Sequence, residues 1–444
     1  MTGSTSAGGG APRVDPYEVR PVAGAVRGAF RPPGSKSITN RALVAAALAE
    51  GTSTIHNALD ADDTSAMIVC LRALGIEIDR GEDGVIEASG CGGALPNASA
   101  SLDARLSGTT ARFLLPLLAL GPGPYVLDGR APLRARPMGD GIDALRSLGA
   151  QVDERAGSGH LPVAVAGGPV VGGAVVVRGA ASSQFTSGLL LSGPAMAGGL
   201  DVTVDGELVS PSFVTLTERV MSAFGVDVSR ADRHRLVVPG GGYRGSELVV
   251  EPDAAAASYL MAAGVITGGA VTVPGLGRSS AQSDLGFADA LEAMGADVEW
   301  SADAVTVRAA GPISGVTVDM GDCSDTAQTL AAVAVFADGP TEVTGIGFIR
   351  GKETDRIAAI VTELTRCGIT AHETDDGFVV HPGRPRPAVV QTYDDHRMAM
   401  SFALLGLRAE GIRIAEPACV GKTWPDYFGV LEAMTATARR AERG

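Results

Sequence analysis

Ten cationic side chains of this chain sit in short motif-like stretches: Lys36, Arg41, Arg112, Arg134, Arg136, Arg350, Lys352, Arg356, Arg397 and Lys422. Of 36 Lys plus Arg, only three are lysines, in the contexts GSKS, GKETDR and GKTWPDYF. Lysine is a compact charge whose proton can be exchanged, whereas arginine is a permanently charged planar fork. A chain that otherwise writes its positive charge as arginine therefore points to Lys36, Lys352 and Lys422 as part of a site. The densest stretch is Gly34-Ser35-Lys36-Ser37-Ile38-Thr39-Asn40-Arg41, after Pro32-Pro33 and before an Ala/Leu run. It reads as a helix N-terminus, whose free N–H groups and dipole favour an anion. Ser37 and Arg41, four apart, share a face. The chemistry expected of such a set is the binding of phosphates or carboxylates; an ordinary capped helix with solvated charges is the bland alternative for any one stretch.

Carboxylates lie among these cations. Asp322 and Asp325 in DCSD, and Glu353 and Asp355 in KETDR, are caps or charge balance on one reading and acid/base groups on the other. Asp325 suits a general base acting on a substrate hydroxyl. His396, beside Arg397, reads first as a structural imidazole. Gly421-Lys422-Thr423 resembles the end of a Walker A loop, but position 416 is Glu where that loop needs Gly. No GxGxxG follows a strand, so nucleotide and nicotinamide chemistry have no support.

Composition narrows the class. The 444 residues carry a net charge of -14, with 45% hydrophobic and 19% charged residues. That describes a soluble globular protein and argues against broad nucleic-acid binding. The five cysteines form no CxxC and the histidines no cluster, so no metal site is expected and a reducing, cytoplasmic setting is. Residues 1–16, rich in Gly, Ser, Thr and Pro, read as a flexible tail, and no apolar run is long enough to span a membrane.

The elements that position these residues repeat. A helix-like Ala/Leu run, a glycine and a β-branched strand recur six times, marked by Gly51, Gly123, Gly199, Gly269, Gly339 and Gly411. A second helix ending in glycine before two strands recurs five times, at Gly75, Gly149, Gly225, Gly295 and Gly368. Each unit reads as βαβαββ. The sixth unit lacks its last strands, and Tyr17 to Phe30 is expected to complete it. Chain crossings are expected at Pro32-Pro33-Gly34 and Glu251-Pro252-Asp253, where proline resets the pattern. The fold class is therefore α/β (α+β), in two lobes of three βαβαββ repeats, residues 17–33 plus 252–444 and residues 34–251, with an active site in the cleft between them.

The motifs PPGSKSITNRAL, SGTTARF, RARPM, SSQFTSGLL, DTAQT, GKETDR, YDDHRMAM and GKTWPDYF, in this order, resemble the 5-enolpyruvylshikimate-3-phosphate synthase family of enolpyruvyl transferases. The resemblance implies an inside-out α/β barrel in each lobe. It also implies transfer of the enolpyruvyl group of phosphoenolpyruvate to the 5-hydroxyl of shikimate 3-phosphate by addition and elimination, without metal or cofactor. By motif match, Lys36, Ser37, Arg41, Ser182, Ser183, Gln184, Ser210, Asp325 and Lys352 hold shikimate 3-phosphate. Lys36, Gly108, Arg136, Gln184, Arg356, Arg397 and Lys422 hold phosphoenolpyruvate. Residues 34–251 form the shikimate phosphate side and the other lobe the phosphoenolpyruvate side. Asp325 takes the hydroxyl proton; Glu353 and Lys36 handle the methylene proton. The resemblance further implies small-molecule substrates as the partners of a monomer, and glyphosate sensitivity through Gly108. Phe348, Phe213 and Phe113 depart from the family pattern, which carries Asn, Tyr and Pro there in some members. The sister family acting on UDP-N-acetylglucosamine fits less well, because the loop Leu133 to Gly141 has no Cys and Ser37 follows Lys36 where that family has Asn. A non-catalytic phosphometabolite sensor would need the cations but no acid/base pair.

Overall fold

The computed structural model describes residues 14–157, 159–166, 168–180 and 182–440, with the side chains of residues 437, 439 and 440 excepted. Most of the tail expected over residues 1–16 lies outside this range. Within it, Asp15 is engaged: its Oδ1 accepts the backbone N–H of Glu416 at 2.9 Å. Two compact units result, one from residues 33–253 with Ala281–Ser283, the other from residues 14–32, Ala254–Ser280 and 284–440. Each has its own apolar core.

Every repeat is one small sheet with helices. In the second, third and fifth repeats the first two strands run parallel, the last two form an antiparallel hairpin, and the fourth strand lies between the second and the third. The second repeat, for example, uses Ala100–Asp103, Tyr125–Asp128, Gln151–Glu154 and Val163–Ala166. The five second-marker glycines all adopt positive φ, from 78° to 96°, just beyond a helix, the position where a left-handed residue ends a helix. Four of the six first-marker glycines do so too. In the fourth repeat Gly268 takes that conformation in place of Gly269.

Three repeats borrow a strand from far along the chain. The first repeat receives Glu247–Val249, parallel to Thr52–His56. The fourth receives Arg27–Ala29, parallel to Ala270–Pro274. The sixth receives Tyr17–Glu18, antiparallel to Ile412–Ile414. The expectation that Tyr17 to Phe30 as a whole completes the sixth repeat is thus corrected: the segment is split, its start going to the sixth sheet and its end to the fourth. Strands of two and three residues carry too little periodicity to announce that division.

The two crossing stretches lie side by side. Ser35 N–H donates to the Glu251 carbonyl and Asp253 N–H to the Pro33 carbonyl, each at 2.8 Å. A Cβ on Gly34 would stand 1.9 Å from the Asn57 carbonyl oxygen, so only glycine fits.

One helix of each repeat is interior. In Lys36–Leu48 everything from Ile38 onward is buried, and Gly108–Leu118 and Ala254–Ile266 are buried throughout. Such helices have no wet face, which is why they read as Ala/Leu runs rather than amphipathic patterns. Their few hydroxyls pair across the interior. Ser258 Oγ meets Thr329 Oγ1 at 3.0 Å, and Thr329 Oγ1 meets Ser401 Oγ at 3.2 Å, linking the three interior helices of one unit. The outer helices, such as Arg356–Arg366, keep one apolar face.

Candidate active site

In the unit formed mostly by the C-terminal half, four elements bring one charge cluster together. Asp325 lies in a short turn, Ser324–Thr326, ahead of the interior helix Ala327–Ala334. Arg356 opens the helix Arg356–Arg366, capped by Asp355, whose side chain accepts the Ala358 N–H. Arg397 sits in the first turn of His396–Ala403, capped by Asp395. Lys422 ends the turn Pro417–Lys422.

Arg356 is the hub and is almost wholly buried. Its Nε donates to Asp395 Oδ2 at 2.7 Å, Nη1 to Asp325 Oδ1 at 3.1 Å and Nη2 to Glu353 Oε2 at 2.8 Å. Burial alone would lower its pKa, but Asp395, Glu353 and Asp325 outweigh that and raise it. Arg397 Nη2 donates to Asp325 Oδ2 at 2.6 Å, and Lys422 Nζ to Glu353 Oε1 at 3.0 Å. Lys352 Nζ stands 3.9 Å from Asp325 Oδ1 and 5.8 Å from the Phe348 ring centre. Four cations thus surround three carboxylates, and the cluster keeps a net positive charge.

The second unit holds the other predicted residues. Lys36 and Arg41 lie on Lys36–Leu48, whose cap is Ser35. Lys36 Nζ stands 3.7 Å from the buried Asp63 Oδ2, while its backbone N–H donates to Asp253 Oδ2 at 3.1 Å. Arg41 is buried and bonded to neutral oxygens: Thr217 Oγ1 at 2.8 Å, the Ser37 carbonyl at 2.9 Å and the Phe213 carbonyl at 3.1 Å. The rings of Phe113 and Phe213 flank it at 5.1 and 5.9 Å. Burial lowers its pKa to about 9. A buried guanidinium among neutral groups is costly unless an anion joins it.

Gln184 sits in the first turn of Ser183–Ser192, with Ser182 as cap. Its Oε1 accepts from Arg112 Nη1 at 2.7 Å and its Nε2 donates to Thr109 Oγ1 at 3.2 Å. Gly108 opens the helix Gly108–Leu118, and a Cβ placed there would be 2.7 Å from Arg136 Nη1. The guanidinium lies directly over the glycine. Ser210, buried with φ +50°, precedes Ser212–Ala223, the helix that holds Arg41 through Thr217.

Some sequence expectations change. Arg134 is bonded twice to Asp128, at 2.8 and 2.6 Å, on a half-exposed surface, and Arg350 to Asp355 and Glu373 at 3.1 and 2.5 Å. Neither is gathered into the two clusters described above. Lys352 lies just before the helix that Arg356 opens, and both reach Asp325. Of the three departures, Phe348 lends an aromatic face to Lys352, and Phe213 and Phe113 lend theirs to Arg41. Sequence reasoning passed over Asp395 and Asp63 as site residues. The signal for Asp395 was its place two before Arg397, a capping position, and for Asp63 its place in the acidic helix start DADD.

The residues that carry these two clusters also match known proteins. The family model for EPSP synthase (3-phosphoshikimate 1-carboxyvinyltransferase) matches residues 21–431. The 3-phosphoshikimate 1-carboxyvinyltransferase of Trichormus variabilis is 43% identical over 398 residues, 89% of this chain and 93% of that protein. That of Paraburkholderia phytofirmans is 43% identical over 425 residues, 93% and 97% of the two chains. Among solved structures, EPSP synthase from Acinetobacter baumannii superposes with a TM-score of 0.82 at 28% identity, covering 95% of this chain and 98% of its own. The enolpyruvyl transferase NikO from Streptomyces tendae shares the fold, with a TM-score of 0.74 at 20% identity and coverage of 96% and 97%. With five four-stranded repeats, a three-stranded sixth and a family match that runs through both clusters, the chain belongs to the EPSP synthase (3-phosphoshikimate 1-carboxyvinyltransferase) family.

Proposed function

We infer that the chain transfers the enolpyruvyl group of phosphoenolpyruvate to the 5-hydroxyl of shikimate 3-phosphate and releases phosphate, a step toward aromatic amino acids. The observation that carries the reading is the Arg356, Arg397, Lys422 and Lys352 cluster around Asp325 and Glu353. Both substrates are phosphorylated carboxylates. Bringing them together needs fixed cations, and cations aimed in advance at the developing charge lower the barrier most.

The roles proposed are those that the motif match implies, and the two cation-rich clusters support them. Arg356, Arg397 and Lys422, with Lys36, Gly108, Arg136 and Gln184, take phosphoenolpyruvate. Lys36, Ser37, Arg41, Ser182, Ser183, Gln184, Ser210, Asp325 and Lys352 take shikimate 3-phosphate. Phosphate and carboxylate oxygens compete with Asp325 and Glu353 for the same guanidinium and ammonium donors. As Arg397 turns to the substrate, Asp325 is freed to accept the 5-hydroxyl proton. Glu353, between Arg356 and Lys422, exchanges the methylene proton together with Lys36.

Gly108 is kept where the family resemblance ties it to glyphosate, so we expect inhibition by it. The five free cysteines suit the cytoplasm, where a monomer suffices.

The test is phosphate release from phosphoenolpyruvate by the purified protein, without added metal or nucleotide. Release with shikimate 3-phosphate and none with UDP-N-acetylglucosamine is the expected result. The reverse would assign the other acceptor, and no release with either would leave a phosphometabolite sensor.

A further inference from the structure

We propose that Glu363, at the far end of the helix opened by Arg356, is a positioning residue that clamps the turn Gln391 to Asp395 and thereby sets Arg356 and Arg397 for the phosphate of phosphoenolpyruvate. The proposal rests on the roles just given to those two arginines.

Glu363 is wholly buried, an unusual place for a carboxylate unless it is used. Its Oε1 accepts the Tyr393 hydroxyl at 2.6 Å, and its Oε2 accepts the Gln391 backbone N–H and Arg366 Nε, both at 2.9 Å. Burial and then the bond to Glu363 push the Tyr393 hydroxyl up to about 12, so it stays a donor. Two of these three donors belong to one turn. That turn is strained: Tyr393 and Asp394 are consecutive non-glycine residues with φ of +55° and +56°. Such backbone persists only when its surroundings hold it.

The turn ends on Asp395, which is buried and has both oxygens committed. Oδ2 takes Arg356 Nε at 2.7 Å; Oδ1 takes Arg356 Nη2 at 3.3 Å and the Arg397 N–H at 2.9 Å. One helix, Arg356–Arg366, thus grips the turn at two points. Glu363 holds its beginning, and Arg356 meets its last residue. Releasing the first grip lets the turn relax and carries Asp395, and with it both guanidiniums, out of place. Of the shikimate phosphate residues, those of the other unit are untouched, and Asp325, which both guanidiniums reach, lies on another element and still has Lys352 beside it.

The test compares Glu363→Ala, Glu363→Gln and Tyr393→Phe with wild type in the full chain. In Glu363→Ala the KM for phosphoenolpyruvate should rise about 10- to 100-fold while that for shikimate 3-phosphate stays within about twofold. Glu363→Gln keeps an acceptor for the Gln391 N–H and should recover most of the loss. Tyr393→Phe should show a rise of about threefold, and it decides the matter if the alanine variant does not fold. A folded Glu363→Ala with an unshifted KM for phosphoenolpyruvate, or with both KM values rising together, overturns the proposal. Amide hydrogen exchange over residues 391–399 supplies a readout independent of activity. Faster exchange in the least conservative variant that folds, Glu363→Ala or otherwise Tyr393→Phe, supports the clamp, and unchanged exchange overturns it. Absence of phosphate release in wild type would instead count against the functional reading, with exchange still judging the clamp.

Discussion

Arg41 shows how one side chain can lower the stability of a fold, a cost that the proposed binding of shikimate 3-phosphate would account for. Its pKa is brought down to about 9 by burial, with no carboxylate among the causes. A depressed pKa on a cation means that the unfolded chain binds the proton more tightly. Stability from this group therefore rises only between about pH 9 and the ordinary arginine range, and at neutral pH the buried charge is a cost. Arg41→Met should accordingly melt at or above the wild-type temperature, yet lose the rise in Tm that shikimate 3-phosphate gives the wild type; thermal shift with and without that ligand checks both. Asp325 makes the opposite prediction, for rate. Asp325→Ala should bind both substrates but turn over about 100- to 10,000-fold more slowly, measured by single-turnover phosphate release. Full turnover would remove it as the base.

At the scale of elements, the helix starts carry the site, and their spacing is tight. Gly108→Ala would put a methyl group within 2.7 Å of Arg136 Nη1. Since the clash is with the tip of a flexible side chain, the fold should survive while Arg136 swings aside. The expected outcome is a KM for phosphoenolpyruvate raised about tenfold with a melting temperature near wild type; steady-state kinetics beside a melting curve would tell. These helix starts were legible in the sequence, because proline, small hydroxyl residues and Ala/Leu runs are local signals, and so was the repeat that spaces them. The counter-charges were not. That Asp395 holds Arg356, that Asp63 stands by Lys36, or that Glu363 reaches Tyr393 depends on neighbours 27 to 39 positions apart. A carboxylate at a helix start looks alike whether it caps, balances charge or aims a guanidinium.

For the molecule as a whole, the two units differ in how the chain builds them. Residues 33–253 close their own sheets, including the pairing of Glu247–Val249 with Thr52–His56. A fragment of residues 33–253 should therefore be soluble and melt cooperatively. A fragment starting at 254, deprived of Tyr17–Glu18 and Arg27–Ala29, should not; circular dichroism melts of the two would decide. The split of the N-terminal segment between two sheets has a further consequence during synthesis. Val26 N–H finds its acceptor, Thr267 Oγ1, 241 positions later. At about 5–20 residues per second, the strand Arg27–Ala29 waits roughly 10 to 50 seconds beside the ribosome before its partner exists. Through that interval an unpaired edge must stay out of trouble while a complete neighbouring lobe folds in front of it. Nascent-chain protection of the first thirty residues is thus a demand that this topology places on the cell and not on the finished enzyme.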